Sequence, residues 1–259
     1  MNPTELKLSR NEYGYVPARL ISAVEGVRPD IEWKSLKLVM DVPTVWTENS
    51  RGPYSSSSLD DFHCSLLHSE SDEELFHGLL STIFWGFASG ADGRIRTGRA
   101  LERCRWILEG RLNSAPQNAD EVLSHLRNSR ELLRAGRISE ALLESAKIKF
   151  LGMSFASKVL AFMSPQTLAV YDDVISKRLE QQEDPELRRL YVSTKIATSN
   201  TSKTKQARIY EKWCRWCLEK ATALNASGES WRDWDSKEKA WRAIDVERAF
   251  FALGRSALR

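Results

Sequence analysis

The sequence predicts a mainly α-helical protein with a small, partly extended N-terminal part. Three observations carry that expectation. Glycine and proline are scarce, 13 and 8 in 259 residues, whereas Leu, Ala, Glu, Arg and Lys, which enter a helix at little cost, are abundant. From Ser71 onward apolar residues recur at helical spacing. Those stretches are bounded by Ser, Asp, Gly and Pro at positions suited to helix starts and stops.

Taken in order, residues 1–60 are the least regular. Residues 17–27 suit a short helix, since Pro is tolerated in a first turn, residues 35–45 alternate loosely enough for a strand, and residues 50–58 (SRGPYSSSS) read as an exposed loop. The division expected is an N-terminal segment over 1–70 and a helical domain over 71–259. Ser71 followed by Glu74 resembles a capping box opening a helix through Leu75, Leu79, Leu80 and Ile83 that stops near Gly86. A glycine-rich loop with a cationic end follows over 86–98. Residues 98–111 and 119–135 read as amphipathic helices. Ser139 can cap a short helix to about Lys147, a tight turn spans 148–153, and a second helix runs from near Ser154 to Pro165. An extended stretch, 166–171, then leads to a helix opened by Asp172 or Asp173. Longer helices are expected over 203–224 and 236–253, separated by Gly228 and a pair of tryptophans.

Composition excludes several function classes. No stretch approaches about 18 uninterrupted apolar residues, and the start lacks the apolar core of a signal peptide. Four cysteines in this length do not make a disulfide scaffold, which points to a reducing cytoplasm. No Walker loop, HExxH sequence or dinucleotide fingerprint occurs. The net charge of +3 is uneven: residues 188–220 carry nine Lys or Arg against two Glu. Such a stripe suits a polyanion, although a merely solvated helix face has the same composition.

The block that carries chemistry is residues 148–179, IKFLGMSFASKVLAFMSPQTLAVYDDVISKRL. Two helices meet in a hairpin containing Gly152, a Pro-bearing loop follows, and an aspartate stands at the next helix start. Gly152 allows close backbone approach, and the free amides of the second helix form a phosphate site at the positive end of its dipole. Lys147, Lys149 and Lys158 flank the turn. An aspartate at a helix start is ordinarily a cap; the preceding hairpin is what makes Asp172 a catalytic candidate. Asp173 is its competitor, read as a cap or a partner that tunes its neighbour.

This pattern resembles the helix-hairpin-helix DNA glycosylases, roughly L-P-G-V-G-x-K-x-A, a loop, then V-D-x-H-V. With the hairpin alanine on Ala156, the family's second glycine falls on Gly152 and its catalytic aspartate, sixteen positions on, falls on Asp172. FWGFASGADGRIRTGRALERC is similar to the helix, wedge loop and helix that precede the hairpin in the oxoguanine-glycosylase branch. The resemblance implies two helical subdomains flanking a DNA and base cleft, with the hairpin over 139–164. It also implies contacts to duplex DNA from Gly152, Ser154, Lys149 and Lys158, with Arg94 or Arg96 on the wedge loop. Only one hairpin glycine remains, since Lys149, Phe150 and Leu151 stand where Pro-Gly-Val is usual. Ser154 occupies the place of the Schiff-base lysine of bifunctional members, which implies a monofunctional enzyme; a slipped alignment gives that role to Lys158. Of the four cysteines of the iron–sulfur branch only Cys214 and Cys217 are present, so no metal or other cofactor is expected.

The chemistry fits those residue types. Breaking an N-glycosidic bond builds positive charge on the sugar, which a carboxylate stabilises while orienting water, and the target base must first leave the stack. The run LGMSFASKVLAFMSP…AVYDDVISKRL and the C-terminal WRAIDVERAFFALGR are similar to stand-alone bacterial glycosylases, a set of which removes glucosylated hydroxymethylcytosine from phage DNA. The resemblance therefore implies antiviral base excision, by a monomer and without membrane contact. Repair of an oxidised or alkylated base and a non-catalytic hairpin DNA binder are the alternatives. Trp85, Trp106 and Trp241 are expected in the core, Trp213, Trp216, Trp231 and Trp234 near the basic stripe, and His63, His68 and His77 in structural or surface places.

Overall fold

A computed structural model describes residues 2–14, 18–20, 55–88, 96–111, 114–115 and 117–256. The chain is mainly helical, as the sequence predicts. Its elements are α1 (Pro3–Asn11), α2 (Ser56–Leu67), α3 (Asp72–Ala88), α4 (Thr97–Glu109), α5 (Ala119–Arg134), α6 (Ile138–Ser145), α7 (Gly152–Met163), α8 (Asp173–Glu180), α9 (Pro185–Arg188), α10 (Asn200–Ala226), β1 (Trp231–Arg232), β2 (Glu238–Lys239) and α11 (Ala243–Ser256). The segments expected over 17–27 and 35–45 lie outside the described residues, apart from Ala18, Arg19 and Leu20.

The packing centres on α3, buried along almost its whole length from Leu75 to Trp85, as expected of a helix apolar all round. It meets α2, α4 and α7, while α6 joins α5 to α7 and α10. A second group forms round α11, which packs on α1, α8 and α10. α7 is thereby buried from Ala156 to Met163, and α8, packed on α11, has its N-cap Asp172 3.5 Å from Lys158 of α7.

Buried ion pairs tie the chain's distant parts. Asp245 on α11 accepts from Arg10 of α1 at 2.9 Å, and Asp60 of α2 accepts from Arg242 at 2.6 Å and from Arg248 at 2.9 Å. Each charge is answered inside the cluster, the condition under which such burial is tolerated. These guanidiniums hold the Asp245 carboxyl down at about 2 against the opposing effect of burial.

Several boundaries differ from the sequence reading. Ser55–Ser58, expected in a loop, instead opens α2, with Ser55 and Ser58 bonded reciprocally as cap and third residue. The helix expected to stop near Gly86 continues to Ala88. Ser139 is not a cap: α6 starts at Ile138, and the Ser139 hydroxyl donates to Glu211. The helix expected from Ser236 begins only at Ala243, because β1 and β2 pair antiparallel, Trp231 opposite Lys239. Tertiary contacts override the local helix formers here. Trp231 is buried beneath the Arg10 guanidinium at 3.6 Å, and Asp233 accepts from the Ser56 amide at 2.9 Å.

Candidate active site

The turn between α6 and α7 runs through residues 146–151, and two left-handed residues mark its end, Phe150 at φ +69° within it and Gly152 at φ +54° at the start of α7. Gly152 is at no cost there, and a Cβ on it would meet nothing within 4 Å, so the backbone is approachable. Phe150 stands where the family pattern has glycine and bears a strain of about 1–2 kcal/mol. Its ring leans on Trp106 of α4 at 5.8 Å. The Lys149 amide donates to Gln117 at 2.8 Å and its ammonium to the Ala115 carbonyl at 3.2 Å, which pins the turn to the segment before α5. α7 opens without a side-chain cap, so the first amides of the helix are left to a ligand or to water.

Asp172 is the N-cap of α8. One carboxylate oxygen, Oδ1, accepts from the amides of Val174 at 3.0 Å and Ile175 at 3.2 Å. The other, Oδ2, lies 3.5 Å from Lys158 Nζ, and the side chain is 17% exposed. The segment before it is fixed by buried partners: Trp213 Nε1 donates to the Val170 carbonyl at 2.9 Å, and the Tyr171 amide donates to Ser157 Oγ at 3.0 Å. Asp173, its competitor, faces solvent and pairs with Lys177 one turn on at 2.7 Å.

Lys158 is almost fully buried on α7. Its ammonium donates to Ser154 Oγ at 3.3 Å and lies 5.2 Å from the centroid of the Phe155 ring. Gly86 of α3 makes room for both side chains. A Cβ there would fall 2.5 Å from Phe155 Cε1 and 3.3 Å from Lys158 Cδ, so that glycine serves close packing, not helix termination. Behind the pair stands Glu247 of α11, 4% exposed. Burial, then the nearby Asp172 charge, pushes its carboxyl up to about 8, against the pull of Arg248, Lys158 and Arg10.

Residues 61–251 match the family described as "Putative 8-oxoguanine DNA glycosylase OGG-like protein". The chain belongs to this OGG-like glycosylase family. No curated protein and no solved structure matches it. Membership agrees with the mainly helical fold and makes DNA glycosylase activity, and hence DNA as partner, the family-level expectation.

The structure thus brings together Gly152, Ser154, Lys158 and Asp172 on α7 and the start of α8. Arg96 is exposed at the foot of α4, where its amide donates to the Ala88 carbonyl at 2.7 Å and closes the base of the expected wedge loop. Arg94 lies outside the described residues. Beside the hairpin is a cleft of about 320 Å³ between α3, α4 and α7, lined by Phe87, Arg103, Trp106, Phe150 and Phe155. Phe87 and Phe155 stack at 4.3 Å, and the Arg103 guanidinium lies 3.5 Å from the Trp106 centroid. Trp106, expected in the core, is therefore a cleft residue, whereas Trp85 and Trp241 are core. Cys214 and Cys217 are buried, the Cys214 thiol donates to the Ala169 carbonyl at 3.8 Å, and burial pushes that thiol up to about 12. His63 is likewise a packing residue, its ring stacked on Phe162 and its pKa lowered to about 4 by burial.

Glu247, the Lys158–Asp172 pairing and the cleft were not drawn from the sequence. One local signal was present for the first two: a Lys inside ASKVLAFM and a Glu inside AIDVERAFF are charges on otherwise apolar helix faces.

Proposed function

We propose that this protein is a monofunctional DNA glycosylase that removes a modified base from duplex DNA by Asp172-assisted hydrolysis of the N-glycosidic bond. The observation that carries the reading is the state of Asp172: Oδ1 is consumed by two α8 amides, and Oδ2 is held at one fixed edge, directly after a hairpin whose Gly152 is open to solvent. A carboxylate fixed in this way stabilises positive charge developing on the deoxyribose at no reorganisation cost. It also orients the water whose oxygen bonds to C1′ as the C1′–N bond breaks; the water's proton passes to Asp172, and the bond's electron pair leaves with the base. The α7 amides at Gly152 anchor a neighbouring phosphate, and the extruded nucleotide is exchanged for the wedge loop before α4. Ser154 at the Schiff-base position has only a hydroxyl, already accepting from Lys158, which supports hydrolysis without strand cleavage.

The substrate we propose is glucosylated hydroxymethylcytosine in phage DNA, with antiviral defence as the biological role. Support for this is the similarity of residues 151–165 and 169–179 and of the C-terminal stretch to stand-alone bacterial glycosylases. The family description itself favours an oxidised purine as the second reading. Duplexes carrying glucosylated hydroxymethylcytosine, 8-oxoguanine or unmodified bases, incubated with the protein and then treated with alkali, test both. Breaks at the glucosylated positions alone support the first substrate, breaks at oxoguanine the second, and breaks in none of them overturn the enzyme.

A further inference from the structure

Four exposed cations of α10, Lys203, Lys205, Arg208 and Lys212, make no ion pair among the described residues, and the last three share one face of the helix. The next cation along, Arg215, is by contrast held by Glu211 at 2.6 Å. Thr201, Thr204, Lys205, Arg208 and Lys212 recur every three or four residues and so form one stripe, about 16 Å long at the helical rise. They line a groove of about 520 Å³. Asn200 and Thr204 are shared with a second groove, of about 490 Å³, whose far wall is the hairpin itself at Lys147 and Gly152. No acidic side chain lines either groove. Where they approach the turn, Ile196 projects with 84% of its surface exposed, an apolar contact set in a cationic surround.

We propose that this path is a second DNA track, holding the sugar–phosphate backbone of one strand beside the nucleotide processed at Asp172. The proposal rests on the glycosylase reading. One strand presents a phosphate about every 3.4 Å along the duplex axis, so a stripe of this length spans several. Lysine and arginine neutralise them, threonine hydroxyls donate to their oxygens, and neither reads sequence. A groove that continues from the hairpin keeps the strand in register as it leaves the turn, and the free α10 cations have no protein acid to release before they bind.

The test is the salt dependence of binding to a 30-bp duplex for wild type, the neutral K205Q/R208Q/K212Q and the charge-retaining K205R/R208K/K212R. Each lost phosphate contact lowers the slope of log affinity against log salt by about 0.9. Loss of three makes the wild type's fall in affinity between 50 and 200 mM salt about 40-fold larger than that of the neutral variant. The charge-retaining variant keeps the wild-type slope. An equal slope in all three, with the wild type still binding, overturns the track and leaves the glycosylase reading standing. An equal loss of slope in both variants also overturns it, since the cause is then the fold. A wild type that binds no duplex at low salt overturns the glycosylase reading itself.

Discussion

Lys158 Nζ and Asp172 Oδ2 face each other at 3.5 Å across the gap between α7 and the start of α8, with side chains 5% and 17% exposed. Asp172 is thus both a helix cap and one half of a nearly buried ion pair, and the two duties separate on substitution. Asn in its place still accepts from the Val174 and Ile175 amides but has no charge. Asp172→Asn is therefore expected to keep the cap but to lose about 3 kcal/mol in denaturant unfolding, because the buried Lys158 ammonium loses its counter-charge, while base excision falls at least about 100-fold, read as alkali-labile sites in single-turnover reactions.

The same pair decides the lyase question. Borohydride reduction during turnover is expected to trap no protein–DNA adduct, and product strands are expected to stay intact until alkali is added. An adduct that disappears in Lys158→Gln would reassign Lys158 as a nucleophile.

Gly86 holds this pair from the side. Its Cβ-free surface accepts the Phe155 ring, and Gly86→Ala puts a methyl 2.5 Å from that ring's carbon. We expect a loss of about 1–3 kcal/mol in denaturant unfolding. Excision should slow as well, because Phe155 and the Lys158 stem shift together.

Glu247 gives a dependence on pH of definite sign. Its carboxyl titrates near 8 in the folded protein, above its ordinary value of 4.5. The folded state therefore binds the extra proton between those limits, and the stability this contributes is complete below about 4.5 and lost as pH rises through 8. Glu247→Gln, which keeps the shape and stays neutral, is expected to gain on wild type in thermal melts as pH is raised from 5 to 9. Parallel melting curves across that range would show that Glu247 does not titrate there.

The helical class, the α6–α7 hairpin and the position of Asp172 were legible because each is a local matter: apolar spacing, one glycine, and an aspartate sixteen residues beyond Ala156. The hairpin of β1 and β2 was not. Lys237, Glu238, Lys239 and Ala240 are helix formers, and what bends them is distant: Asp233 bonded to the start of α2 and Trp231 beneath Arg10. Trp106 was misplaced for a related reason, since helical spacing puts it on an apolar face without saying that Arg103 and Phe150 hold that face open. Glu247 could be suspected from its apolar neighbours, but not its proximity to Asp172, which depends on how α11 docks.

That docking has a bearing on when the protein becomes competent. Arg10 and Asp245 stand 235 positions apart, and their contact forms only after almost the whole polypeptide has been collected. Ordering partners so remote is slow. The helix that brings Glu247 up behind Asp172 is therefore expected to settle among the last events of maturation.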